Sequence, residues 1–247
     1  MIKMEVCANG VVSALAAQQG GASRIELCDN LQDGGTTPSY AQIKLAKELL
    51  TIPVYPIIRP RSGDFLYSDL EFNLMKADIE ICKLLNCDGV VFGILNAEGE
   101  IDQLRCAELI AIASPMKVSF HRAFDLCHDQ EKAVEAIIEL GFERILTSGG
   151  QVNALVGAAQ IATLVKLAAG RISIMPGAGI REHNVAEVMR ITGATEFHAT
   201  AKSVIRSAMK FKNIEVHVGA AADEYNYEVT AAEIVKSLIE KANGRQY

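Results

Sequence analysis

The sequence predicts an α/β fold, a single (β/α)8 TIM barrel, and three observations lead there. The length of 247 residues matches the roughly 250 residues typical of one such barrel. Short β-branched runs alternate with amphipathic stretches along the whole chain, which implies a parallel sheet with crossover helices. No Pro/Gly/Ser-rich stretch or charge run separates two halves, so residues 1–247 are read as one domain. A doubly wound open sheet is the alternative. It usually has fewer strands and a Gly-rich dinucleotide turn after the first, whereas here that turn is Cys7-Ala8-Asn9-Gly10.

Taken in order, strands are read at 2–7, 24–28, 53–58, 89–92, 117–121, 144–148, 171–175 and 196–198. The helical patterns between them lie at 11–19, 39–50, 71–85, 103–113, 130–140, 154–169 and 182–192, with a last helix at 230–242. Three strands open on the same pair: Arg24-Ile25, Arg144-Ile145 and Arg171-Ile172. The first two strands also share Glu-x-Cys-x-Asn, as Glu5 to Asn9 and Glu26 to Asn30. An offset of 21 residues (26 − 5) suits one short βα unit, which predicts adjacent strands in matching register.

Composition narrows the function. Half the residues are hydrophobic and 22% are charged, enough to bury a large core. A net charge of −6 and an isoelectric point near 5.5 argue against nucleic acid or an anionic membrane as partner. The N-terminus alternates charged and apolar residues like a strand and has no apolar leader segment. No apolar run approaches the ~18 residues of a membrane span. A soluble, cytoplasmic protein is expected, and its six cysteines should be reduced thiols, mostly small core residues.

Period-two alternation assigns faces. Ile2, Met4 and Val6 must meet the helices, so Glu5 and Cys7 point into the barrel. By the same logic Glu26 and Cys28, Ser119 and His121, and Glu196 and His198 point inward, and Arg59 lies near the mouth. Three inward carboxylates on neighbouring strands repel one another and need a cation, a shared proton or basic partners. His121, His198 and Arg59 are candidates for that role. An internal salt-bridge layer using Arg24, Arg144 and Arg171 is the plainer explanation.

The loops leaving the strands add polar groups. Arg59-Pro60-Arg61-Ser62-Gly63-Asp64-Phe65 sets two guanidiniums beside a Gly-Asp turn, and arginine forks suit carboxylate or phosphate. His121-Arg122-Ala123-Phe124-Asp125 offers an acid–base group beside a cation and a carboxylate. Thr147-Ser148-Gly149-Gly150 and Pro176-Gly177-Ala178-Gly179-Ile180 end strands six and seven, and glycines in such loops can hold a phosphate on backbone N–H groups. The anion-binding candidates are therefore Arg59, Arg61, Ser148, Gly149, Gly177 and Gly179. Cys7 and Cys28 suggest another chemistry, because two thiols on adjacent strands could share one soft ion, Cu(I) or Zn(II). Two small buried thiols remain the simpler reading of the pair.

Together these motifs resemble the CutC family of copper homeostasis proteins. The resemblance runs through Glu5-x-Cys7, Arg24-Ile25-Glu26-Leu27-Cys28, Gly34-Gly35-Thr36-Thr37-Pro38-Ser39 and Ile57 to Phe65. It continues in Tyr67-Ser68, Phe120 to Asp125, Leu146 to Gly149 and Gly177-Ala178-Gly179, and in the tail through Asn213 and Asp223-Glu224-Tyr225. It implies a cytoplasmic barrel with a role in copper tolerance or trafficking, and Cys7 and Cys28 as Cu(I) ligands. Some bacterial members carry a second Cys directly after the first, where this chain has Ala8.

Two functions stand open at this point. One is a copper-binding protein using Cys7 and Cys28. The other is an enzyme acting on a small anionic substrate, a phosphorylated one included, with Glu5, Glu26, His121, Asp125 and His198 for proton transfer. A third reading is a structural or regulatory barrel without catalysis. Association into a homo-oligomer is expected only because such barrels often pair through their outer helices.

Overall fold

Parallel strands joined by crossover helices close into a barrel when eight units follow one another. The computed structural model, which describes residues 1–216, 218 and 224–244, has that form. Its barrel strands are β1 (Lys3–Asn9), β2 (Arg24–Cys28), β3 (Val54–Pro56), β4 (Gly89–Phe92), β5 (Lys117–Phe120), β6 (Arg144–Thr147), β7 (Ser173–Pro176) and β8 (Glu196–Ala199). The crossover helices are α1 (Gly10–Gln19), α2 (Tyr40–Leu49), α3 (Asp69–Leu84), α4 (Gln103–Ala113), α5 (Gln130–Leu140), α6 (Ala158–Ala168) and α7 (Val185–Thr192). The ladders run β8-β1-β2-β3 and β4-β5-β6-β7. A parallel bridge between Ile57 and Val91 joins β3 to β4, and β7 packs beside β8 at the other seam.

Most boundaries follow local chemistry. Ser68 and Glu71 form a reciprocal capping box at the start of α3, which satisfies two backbone donors that a helix start leaves free. β3 is short because Pro53 and Pro56 cannot donate to a ladder. α6 starts at Ala158, later than its apolar pattern. The Asn153 side chain accepts from the N–H groups of Leu155 and Val156, holding that segment in a turn.

The eighth unit departs from the simple alternation. An antiparallel hairpin of β9 (Lys202–Arg206) and β10 (Asn226–Thr230) separates β8 from the final helix α8 (Ala232–Ala242). Thr230 therefore ends a strand rather than opening the last helix. Its N–H bonds to Ser13 Oγ at 3.1 Å, tying the hairpin back to α1. Asp223 of the tail motif lies outside the described residues.

The outward faces are as the alternation predicts. Met4, Val6, Ile25, Leu27, Phe120 and Phe197 are all fully buried between sheet and helices. The register of β1 on β2 corrects an expectation. Glu5 pairs with Arg24, Cys7 with Glu26, and Asn9 with Cys28, a stagger of two residues from matching motifs. Closing a tilted barrel requires such a shear between strands. An even shift keeps every side chain on its face while changing its neighbours, so Arg24 comes beside Glu5.

Candidate functional site

The lowest charged layer of the interior is neutral by construction. Arg24 bonds Glu5 and also reaches Glu196 at 3.0 Å. Arg144 reaches Glu196 at 3.1 Å and Ser119 Oγ at 3.0 Å. The Tyr55 ring lies under both guanidiniums, 5.4 and 5.6 Å away. Two of the three inward carboxylates thus belong to an internal salt-bridge layer. Arg171 does not join it and pairs with Glu135 on the surface at 2.6 Å. Burial pushes the Glu5 carboxyl up, but the Arg24 guanidinium and His198 outweigh it and hold the group well below the usual carboxylate range.

Above that layer sits a cluster of two thiols, an imidazole and the third carboxyl. His198 Nδ1 is 2.7 Å from Glu5 Oε1, and its Nε2 is 3.7 Å from Glu26 Oε2. Cys7 Sγ lies 3.3 Å from Cys28 Sγ, which in turn is 3.4 Å from Glu26 Oε2. One ligand atom each from Cys7, Glu26 and His198 falls within 4.8 Å of the others. The hydrogen bond from Cys28 overcomes burial and, with His198, lowers the Cys7 thiol to about 5. Burial and the neighbouring sulfur raise Cys28, and burial with the Cys7 charge raises Glu26. His198 is raised despite burial by its bonds to Cys7 and Glu5. These shifts favour a thiolate at Cys7 and a charged imidazole at His198, keep Glu5 ionised behind them, and push Cys28 and Glu26 toward their neutral forms.

The cluster forms the floor of a cavity of about 840 Å³ at the C-terminal ends of the strands. Cys7, Glu26, Arg59, His121 and His198 all line it, together with Asp125 and Gly179. Glu5 and Cys28 contact that floor without lining the cavity. His121 Nδ1 accepts the Ala123 N–H at 3.2 Å. Burial, aided by the Arg59 charge, lowers His121 to about 3, so the ring is neutral with its proton on Nε2.

Several anion-binding candidates are occupied by the protein itself. Asp125 accepts from Thr147 Oγ1 at 2.6 Å, Ser148 N at 2.9 Å, Gly150 N at 3.1 Å and Arg122 Nε at 2.8 Å. Its carboxylate takes the place of an external anion in the loop after β6, and Gly149 N–H goes to Thr147 Oγ1 at 2.8 Å. Gly177 N–H bonds the Thr147 carbonyl at 2.9 Å, and this glycine does not line the cavity. Arg61 also lies outside it, held by Glu71 at 2.6 Å, Asp64 at 3.0 Å and the Leu66 carbonyl at 2.9 Å. Of that set, Arg59 and Gly179 reach the cavity.

The structure adds lining residues that the strand-by-strand reading passed over. Phe65, from the quoted Arg59 to Phe65 segment, stacks against both Arg59 and His121. Arg181, Lys202 and Lys241 also line the cavity. Lys202 lies three residues past the end of β8, where the rule about strand-end loops would have found it. Lys241 lies on α8, far in sequence from any strand end, and has no such signal.

Residues 2–203 match the CutC family. A human protein named copper homeostasis protein cutC homolog is 49% identical over 237 residues, covering 95% of this chain and 87% of its own length. A CutC family protein of Chromobacterium violaceum is 48% identical over 238 residues, covering 96% of both chains. The crystal structure of a Streptococcus agalactiae CutC protein superposes with a TM-score of 0.78 at 38% identity, covering 81% of this chain and 99% of that one. A phosphoribosylanthranilate isomerase from Thermotoga maritima, at TM-score 0.58 and 13% identity, shares the barrel fold.

Proposed function

The chain belongs to the CutC family, and from that premise we propose that it serves copper homeostasis by binding Cu(I) as cargo at the floor of the barrel mouth. The observation that carries this reading is the 3.3 Å approach of the Cys7 and Cys28 sulfurs, with a His198 nitrogen in the same cluster. Two thiols and an imidazole are a soft donor set, which favours Cu(I) over hard cations. His198 supplies a third donor where some family members have a further cysteine and this chain has Ala8. Glu5, at 2.7 Å from Nδ1, would fix the ring with Nε2 free for the metal, a role carboxylates commonly play behind metal-bound histidines.

Relatives that carry copper homeostasis in their names support the assignment. The reading requires a reducing compartment such as the cytoplasm, since a Cys7–Cys28 disulfide would remove both ligands. No helix among the described residues is long and apolar enough to cross a membrane. Anaerobic Cu(I) titration against a competing chelator tests the site. One ion per chain is expected, with affinity falling at least about tenfold in Cys7→Ser and Cys28→Ser. Equal stoichiometry and affinity in wild type and both variants would remove the site.

One observation favours a second reading, acid–base or covalent chemistry on a small molecule. Cys7, His198 and Glu5 form a chain in which a low-pKa thiolate faces an imidazole oriented by a carboxylate, the arrangement of an activated nucleophile. Iodoacetamide serves as the probe. Cys7 alkylation should be nearly flat between about pH 6 and 8, whereas an ordinary thiol with a pKa near 8.5 gains almost tenfold per unit. A tenfold-per-unit rise at Cys7 would defeat this reading and leave Cu(I) binding intact.

A further inference from the structure

Three buried polar side-chain atoms among the described residues have no hydrogen-bond partner: Arg59 Nε, Tyr67 OH and His121 Nε2. Two of these residues, Arg59 and His121, line the cavity, and they are only 5% and 3% exposed. The rest of the Arg59 guanidinium is committed to backbone carbonyls, with Nη1 bonded to Asp33 O at 2.9 Å and Gly35 O at 2.7 Å, and Nη2 to Gly63 O at 2.9 Å. No carboxylate among the described residues forms an ion pair with it, in contrast to Arg24 and Arg144 deeper in the barrel. A buried cation without a counter-ion and a buried N–H without an acceptor are both costly. An anionic acceptor would satisfy both Arg59 Nε and His121 Nε2, and the Tyr67 hydroxyl, which the Arg59 guanidinium faces, is a further donor beside Arg59.

Phe65 ties the pair together. Its ring centre is 5.0 Å from the Arg59 guanidinium carbon and 4.8 Å from the His121 ring centre. The ring covers both groups while itself remaining partly exposed on the 60–65 loop. His121 contributes a fixed donor, because its Nδ1 is held as acceptor by the Ala123 N–H and the proton must then sit on Nε2.

We propose that Arg59 Nε and His121 Nε2–H form a binding site for the anionic oxygen group, a carboxylate or phosphate, of a small molecule, reached when the Phe65 ring swings aside. The site lies in the wall of the cavity whose floor holds Cys7 and His198, so a ligand anchored there by its anionic end would project its remainder over the thiols. Arg181 lines the same cavity and adds positive charge near its mouth, whereas Lys202 and Lys241, which also line it, are paired with Glu228 at 2.6 Å and Glu182 at 3.5 Å.

The test uses the full chain, reduced and free of copper, so its outcome does not depend on the metal site. The protein is titrated with inorganic phosphate and, separately, with succinate, while the 15N resonances of the histidine rings are followed by NMR. A saturable shift of the His121 Nε2 signal is expected, with phosphate alone, succinate alone, or both, and the active arm identifies the head group. His121→Asn keeps an acceptor at the place of Nδ1 for the Ala123 N–H, but its shorter amide sets no donor at the place of Nε2, so affinity should fall at least about tenfold. Absence of a His121 shift with either anion overturns the proposal, as does unchanged affinity in His121→Asn. Should that variant fail to fold, the wild-type spectrum alone decides.

Discussion

Replacing Arg24 by Met removes a guanidinium that bridges two buried carboxylates while roughly keeping side-chain length and apolar bulk. Arg24 contacts Glu5 and Glu196, and all three side chains are less than one-tenth exposed. Arg144 still reaches Glu196, so Glu5 is the group left facing only His198. Breaking a buried ion pair from one side typically costs about 3–5 kcal/mol, because the remaining charge stays desolvated. For a chain of this size that corresponds to a fall in melting temperature of roughly 6–20 °C.

The pH dependence of that loss has a definite sign. Glu5 is held below its unfolded value, so its interaction stabilises the fold above about pH 4.3 and is lost as pH falls through the folded value. The cost of Arg24→Met should therefore be largest near pH 7 and shrink below about pH 4. Urea unfolding of both proteins at several pH values, analysed for midpoint and slope, measures it. A loss below about 1 kcal/mol at pH 7, or one independent of pH, would refute the idea that this layer is an essential ion-pair network.

Other outcomes follow from the same geometry. Asp125→Ala strips the acceptor from Thr147 Oγ1, Ser148 N and Gly150 N; a loss of at least about 1.5–3 kcal/mol is expected by urea unfolding, and a smaller one in Asp125→Asn. Gly177→Ala would drive a Cβ into Leu146 Cδ1 and to 3.3 Å from His198 Cβ. It should cost about 1–3 kcal/mol and weaken Cu(I) binding by shifting the ring, whereas an unaltered Cu(I) affinity would show that the ring holds its place and Leu146 absorbs the contact. Binding Cu(I) must displace protons from Cys28 and His198, both raised, so Cu(I) affinity should increase from pH 6 to pH 8, and calorimetry in buffers of different ionisation enthalpy should register proton release. Glu5→Gln should lower Cu(I) affinity by roughly 10–100-fold, as loss of the group behind a metal-bound histidine usually does.

The barrel was legible because its signals are local. Strand periodicity depends on neighbouring residues alone, and β2 and β4 fall at the expected positions, with β6 one residue shorter. The hairpin of β9 and β10 was not legible. β9 is largely exposed and lacks the one-sided apolar alternation that marks a half-buried strand, whereas β10 alternates Tyr227 and Val229 with polar residues, but over only five residues that run directly into the last helix. Inward-facing Glu5, Glu26, Glu196, His121 and His198 were identified by parity, and all are buried in the interior.

What each polar residue does was a different matter. From sequence, Asp125 and Arg61 look like an acid–base group and an anion clamp, but one caps the loop after β6 and the other braces its own loop. Both roles depend on which backbone groups end up nearby, and composition carries no such information. The same holds for the two-residue stagger of β1 on β2. It is set by closure of the whole barrel, and it decides that Arg24 neutralises Glu5 while Cys7 is left beside Glu26.

By itself, then, the sequence determined the α/β alternation, the buried faces and the set of polar side chains aimed into the barrel, because periodicities of 2 and 3.6 are properties of short segments. Tertiary structure alone decided how that set divides. Arg24 and Arg144 close a neutral layer with Glu5 and Glu196, Cys7, Cys28 and His198 gather on the floor above it, and Arg59 and His121 keep unpartnered donors in the wall. The physical reason is that pairing among buried charges depends on distances of a few ångströms between strands far apart in sequence, which only barrel closure and its shear establish.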